Sequence, residues 1–140
     1  MSEVREIVTR AVLAKGRKNI KVCETIPLEQ QPYSVLGCWV INHEFEAVQD
    51  QKQVNLTGSF EIDIWYAYDN NTKTDIARTT TKYQTVIKVK DIVCDATTDH
   101  TDVIVRILQQ PTCTNACIKE NAIEVEVVFD ALAEINCKLR

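Results

Sequence analysis

The sequence predicts an all-β, single-domain chain over residues 1–140, an antiparallel β-sandwich with long strands, and three observations carry that reading. Near the C-terminus Ile123, Val125, Val127, Phe129, Ala131, Ala133, Ile135, Cys137 and Leu139 alternate with a mostly polar set beginning Glu124 and Glu126. Side chains of a strand point to opposite faces with period two, so this run is a half-buried strand. A second alternation sets Val54, Leu56, Phe60, Ile62, Ile64, Tyr66 and Tyr68 against Asn55, Thr57, Ser59, Glu61, Asp63 and Trp65. Third, the chain has only three glycines and three prolines, so it has few turn formers and its elements must be long. A chain of 140 residues buries about two-thirds of its unfolded surface, enough for one core.

Taken in order, the N-terminus is open between two readings. Val4, Ile7, Val8, Ala11 and Val12 follow helical spacing, with Gly16 placed as a stop signal. The β-branched residues between Ile7 and Ala14 suit a strand instead, with a turn at Gly16-Arg17-Lys18 leading into Ile20–Ile26. Glu29-Gln30-Gln31-Pro32 interrupts both periodicities and reads as a loop, followed by a strand from Val35 to Asn42. The 54–68 strand runs into Asp69-Asn70-Asn71-Thr72-Lys73, whose Asx residues tolerate the left-handed conformation of a hairpin loop. The return strand, from Thr74 to about Lys90, is rich in β-branched residues. Val103 to Leu108 forms a further strand, ended by Gln109-Gln110-Pro111. Unbroken, the C-terminal run would span roughly 55 Å, so a break or bend is expected near Asp130.

Composition narrows the function. The net charge is −4 and the basic residues are scattered, apart from Lys15, Arg17 and Lys18, which argues against a nucleic-acid partner. There is no apolar run of membrane-spanning length, and charges mix through the first thirty residues, so neither membrane insertion nor a secretory signal is expected. The expectation is a protein made and kept inside the cell. Six cysteines are many for such a compartment, where thiols stay reduced.

Catalytic chemistry has little material, and no cofactor motif is present. The two histidines lie outside any nucleophile, zincin or phosphate-loop pattern. His43 reads as a strand-end side chain facing solvent or a neighbouring carboxylate such as Glu44. The stretch Asp95–Asp102, containing His100, lacks the glycine and terminal glutamate of a calcium loop and reads as a solvated acidic loop. Cys94, His100, Cys113 and Cys117 include only one short knuckle where structural zinc sites pair two, so the predicted metal set is none. Cys38 and Cys137 fall within apolar alternations and read, with Trp39, as buried structural residues. Cys23, Cys94, Cys113 and Cys117 sit near strand ends or loops and are the disulfide or cross-link candidates. Trp65 falls on the polar face of its strand and marks a candidate interface.

Several segments in register resemble the CotE family, the outer spore-coat morphogenetic proteins of endospore-forming bacteria. They are Arg5-Glu6-Ile7-Val8-Thr9, Ala14-Lys15-Gly16-Arg17-Lys18 and Leu36-Gly37-Cys38-Trp39-Val40-Ile41-Asn42-His43. Further along come Trp65-Tyr66-Ala67-Tyr68, Asn71-Thr72-Lys73-Thr74, Val86-Ile87-Lys88 and Leu108-Gln109-Gln110-Pro111 with Cys113. The resemblance implies a non-enzymatic protein that self-associates into a homo-oligomer or polymer and scaffolds deposition of other spore-coat proteins. It implies assembly in the mother-cell cytoplasm during sporulation, then residence in the spore outer coat. Family members carry an acidic tail after the β domain, and the sequence ends at Arg140 without one, which narrows the expectation towards the self-assembling core. Surplus thiols would then close into intermolecular disulfides once the surroundings turn oxidising. The alternative is a β-sandwich peptide- or carbohydrate-binding module using Trp65 and its neighbours.

Overall fold

The computed structural model describes residues 9–91 and 101–139, with side chains over 12–91 and 101–136. Its elements are β1 (Thr9–Pro27), β2 (Pro32–Asp50), β3 (Gln53–Tyr68), β4 (Lys73–Lys88), β5 (Lys90–Asp91), β6 (Thr101–Lys119) and β7 (Ala122–Leu139). Six of the seven exceed the usual strand length severalfold, as the shortage of turn formers requires. All pairings are antiparallel, in a four-stranded sheet of order β5-β1-β7-β6 and a three-stranded sheet of order β2-β3-β4. The two sheets pack face to face as a sandwich.

The two strongest alternations in the sequence are the two strands that sit inside their sheets, β3 between β2 and β4, and β7 between β1 and β6. Their inward rows meet. Val54, Leu56, Phe60, Ile62 and Ile64 from β3 are fully buried against Ile123, Val125, Val127, Phe129, Ala131 and Ala133 from β7. At about 1.5–3 kcal/mol for each large aliphatic or aromatic side chain removed from water, these rows supply most of the driving force for closing the sandwich.

The turns use polar residues, not glycine. Gln51, Asp69, Asn70, Asn71 and Glu120 all have positive φ, and no glycine does. The Asp69 carbonyl accepts hydrogen bonds from the Thr72 amide (3.1 Å) and the Thr72 hydroxyl (2.6 Å), which closes the β3–β4 loop as expected.

The N-terminal segment that could be read as a helix is strand from Thr9 to Pro27, passing straight through Gly16 with no turn; residues 1–8 lie outside the described residues. Gly16 is needed for another reason. After β4 the chain leaves the three-stranded sheet at Val89 and joins the other sheet as β5, crossing directly over β1. A Cβ on Gly16 would lie 1.9 Å from the Lys88 carbonyl oxygen, so only glycine admits that crossing.

Nor does β7 break at Asp130. The strand is continuous, and the accommodation falls on its neighbour β6, whose register slips between Ile107 and Gln109 and again between Gln109 and Thr112. The Gln109-Gln110-Pro111 run therefore does not end a strand; it is taken up as a bulge within one that continues to Lys119. An edge position tolerates Pro111 because no ladder bond is asked of its nitrogen. Asp130 itself faces outward from β7 yet is buried, held in an ion pair by Arg17 of β1.

Gly16→Ala forces backbone against backbone, and urea unfolding should show it destabilised by about 1–3 kcal/mol; an unchanged midpoint would mean that the crossing over β1 is not tight.

Candidate functional site

On β3 the outward residues are Glu61, Asp63 and Trp65, since Ile62, Ile64 and Tyr66 are buried. Cross-strand partners share a face. Gly37 of β2 and Ile76 of β4 flank Trp65, while Trp39 and Arg78 flank Asp63. The outer face of the three-stranded sheet therefore carries Trp39, Trp65 and Ile76 together, exposed by 51, 40 and 46%. Gly37 makes this row possible. The Trp39 indole folds back over it, its nearest ring carbon 2.7 Å from where a Cβ would stand. Asp63 and Arg78 approach to 3.7 Å beside the row and give it a charged border.

Trp65 is thus exposed, on the polar face of its strand. Trp39 corrects the expectation of a buried residue. Val35 to Ile41 is apolar at nearly every position, so alternation could not say which set points in; pairing with β3 turns Cys38 and Val40 towards the core and Trp39 outward. Ile76 was missed as a surface residue, although a hairpin register counted back from the 69–72 loop sets it opposite Trp65.

His43 also departs from its expected place. Asn42 adopts φ 56° in a bulge of β2 between Ile41 and Glu44, and the next side chain turns inward. The imidazole packs edge-on to Phe129 and Phe60, at centroid distances of 5.1 and 6.2 Å, and its Nε2 meets the Tyr83 hydroxyl at 2.5 Å. Burial lowers the His43 pKa and pushes Tyr83 up to about 12. The pair is a neutral hydrogen bond at the rim of the core.

The described thiols divide by face. Cys23 pairs with Glu126 and Cys117 with Glu124, so both stand exposed on the outer face of the four-stranded sheet, on either side of β7. Cys38 pairs with Ile64 and Cys113 with Val127, both fully buried, so these two thiols face the interlayer space from β2 and β6. Burial first, then the neighbouring Cys113, raises the Cys38 pKa strongly. Four residues apart in a regular strand, Cys113 and Cys117 would share a face. A register slip between Cys113 and Asn115 puts them on opposite faces instead, which removes Cys113 from the outward cross-link set. Cys94 and His100 lie outside the described residues, as does the side chain of Cys137. No cluster of three or more His, Cys, Asp or Glu side chains suited to a metal ion occurs among the described residues, and no helix among them is long and apolar enough to cross a membrane.

The model of the outer spore coat protein E (CotE) family matches residues 3–137, nearly the whole chain. The chain belongs to the CotE family. Membership supports a role in the outer spore coat. No curated protein and no solved structure matches the chain. Within this CotE-family domain, the segment Leu36–His43 supplies the exposed Trp39, the inward Cys38 and the bulge that turns His43 into the core.

A histidine kept neutral in the folded state makes folding stability fall as pH drops below its unfolded value of about 6.5, because the unfolded chain takes up the proton first. The melting temperature should decline by a few degrees between about pH 7 and pH 5.5, and His43→Gln should flatten that part of the profile. An equal slope in the variant would assign the dependence to other groups.

Proposed function

We propose that this chain is a non-enzymatic building block of the outer spore coat, which self-associates through the outer face of its three-stranded sheet and scaffolds the deposition of other coat proteins. The observation that carries this reading is the row of Trp39, Trp65 and Ile76 laid outward on the three-stranded sheet. Tryptophans are enriched at the buried centres of interfaces, where large rigid rings lose little entropy on contact. A sheet that keeps apolar side chains on both faces is covered on both in its working state. The edges add a second route. In the three-stranded sheet β2 carries three register slips that blunt it, whereas β4 runs its sixteen residues in unbroken register and offers a regular edge.

Assembly belongs, on this reading, to the reducing mother-cell cytoplasm, with covalent locking after that cell lyses. Cys23 and Cys117 stand on the outer face of the opposite sheet. Each copy then offers a noncovalent surface on one side and thiols on the other, a layout that propagates through a lattice.

Sedimentation and negative-stain microscopy across a concentration series should show wild-type chain forming particles that a Trp39→Ala/Trp65→Ala variant no longer forms, with its far-UV spectrum unchanged. Equal assembly by the folded variant would sink the face. Retention of a glycan or peptide on an array, lost in Trp65→Ala, would favour the binding-module alternative.

Air-oxidised wild type should give a ladder of disulfide-linked species on non-reducing electrophoresis, and Cys23→Ser/Cys117→Ser should collapse most of it to monomer. A ladder that survives the double substitution places the cross-links elsewhere.

A further inference from the structure

Cys38 and Cys113 lie some 75 residues apart in sequence, on different sheets, yet the fold sets them at matching heights on two neighbouring strands. Both point into the interlayer space, from two strands, β2 and β6, that pack against each other along one side of the sandwich. The opposite side is already tied. There the chain itself crosses between sheets at Val89, and the Lys18 ammonium donates to the Thr85 hydroxyl (2.7 Å) and the Val86 carbonyl (3.1 Å). Along the β2–β6 side the Thr101 hydroxyl donates to the Gln49 side chain (3.0 Å) and, at the other end, the Gln31 side-chain amide donates to the Glu120 carbonyl (2.6 Å), so the two strands run antiparallel past each other. The thiol pair sits between these two bonds, on the side away from the Val89 crossing.

We propose that Cys38 and Cys113 form an intramolecular disulfide that clasps the two sheets together when the protein meets oxidising surroundings. This goes beyond the assembly reading and does not rest on it, because a monomer can close the clasp.

The oxidant is a low-molecular-weight disulfide, and the chemistry is two exchanges. The Cys113 thiolate attacks one sulfur of the small disulfide, breaking its S–S bond and releasing one small thiolate. Cys38 then loses its proton to solvent and attacks the Cys113 sulfur of the mixed disulfide. The protein disulfide forms and the second small thiolate leaves. Two protein thiols are oxidised, one small disulfide is reduced to two thiols, and the protons pass through solvent. The order follows from placement: turned inward opposite Ile64, Cys38 keeps its proton because burial disfavours the thiolate, so it is the resolving partner and Cys113 the first attacker.

Closing so long a loop restricts the unfolded chain severely, and the oxidised domain should melt roughly 10 °C above the reduced one. The direct test treats dilute, unmutated protein with oxidised glutathione, blocks free thiols and isolates the monomer. The monomer is then digested with trypsin and a glutamyl protease without reduction. The segments 30–44, which contains Cys38, and 107–119, which contains Cys113 and Cys117, should appear as one species that dithiothreitol separates. The linked species should persist in Cys117→Ser and vanish in Cys113→Ser. Full alkylation of Cys38 in the oxidised monomer overturns the clasp, and so does a link that survives Cys113→Ser but not Cys117→Ser. The first readout needs no variant, so a substitution that fails to fold cannot rescue the idea.

Discussion

The inward row of β3 lies against the inward row of β7, and the described residues paired to these strands take their faces from that contact. Phe60, Ile62 and Ile64 on one strand and Val125, Val127 and Phe129 on the other are removed from water almost entirely. Committing them fixes which face of each sheet is core. From there the hydrogen-bond ladder passes the assignment outward: whatever pairs with Ile64 or Val127 points in, and whatever pairs with Trp65 or Glu124 points out. Tryptophans, thiols and histidine are sorted by register before their own chemistry is consulted.

Where register slips, that sorting inverts, and the slips are distributed unevenly. The β3–β4 ladder has none, while β2 and β6, both sheet edges, carry three each. A bulge at an edge disturbs one ladder; in a central strand it would disturb two. The extra residues at the edges have specific effects. One swings His43 off the solvent face into the Phe60, Phe129 and Tyr83 cluster. Another separates Cys113 from Cys117 across the sheet. The three glycines act in the same economy of space, standing within strands where a neighbour's backbone or ring comes too close for a side chain.

These positions give the CotE-family domain two different outer surfaces. The three-stranded sheet presents a row of large apolar rings; the four-stranded sheet presents a carboxylate-bearing β7 flanked by thiols at Cys23 and Cys117. Inside, a second pair of thiols, Cys38 and Cys113, faces the space between the sheets. A chain with six cysteines does not therefore hold one undifferentiated reserve of cross-links. Burial separates thiols available to neighbours from thiols available to each other.

Periodicity in the sequence was sufficient for the fold class, because a strand buried on one face must alternate and β3 and β7 do so over their whole described length. Composition told the long strands, and local Asx chemistry told the 69–72 turn. The family resemblance was also legible, being carried by short segments whose order along the chain is itself sequence information. What sequence alone left undecided is orientation where both alternating sets are apolar, as in Val35–Ile41, and conformation where helix and strand spacing overlap, as around Gly16. Those were settled by partners distant in the chain: β3 turned Trp39 out and Cys38 in, and the backbone at Lys88 required Gly16 to be bare. The exposed row and the inward facing of Cys38 and Cys113 belong to that second kind, since a strand carries its alternation in its own residues but receives its register, and hence its faces, from the strands beside it.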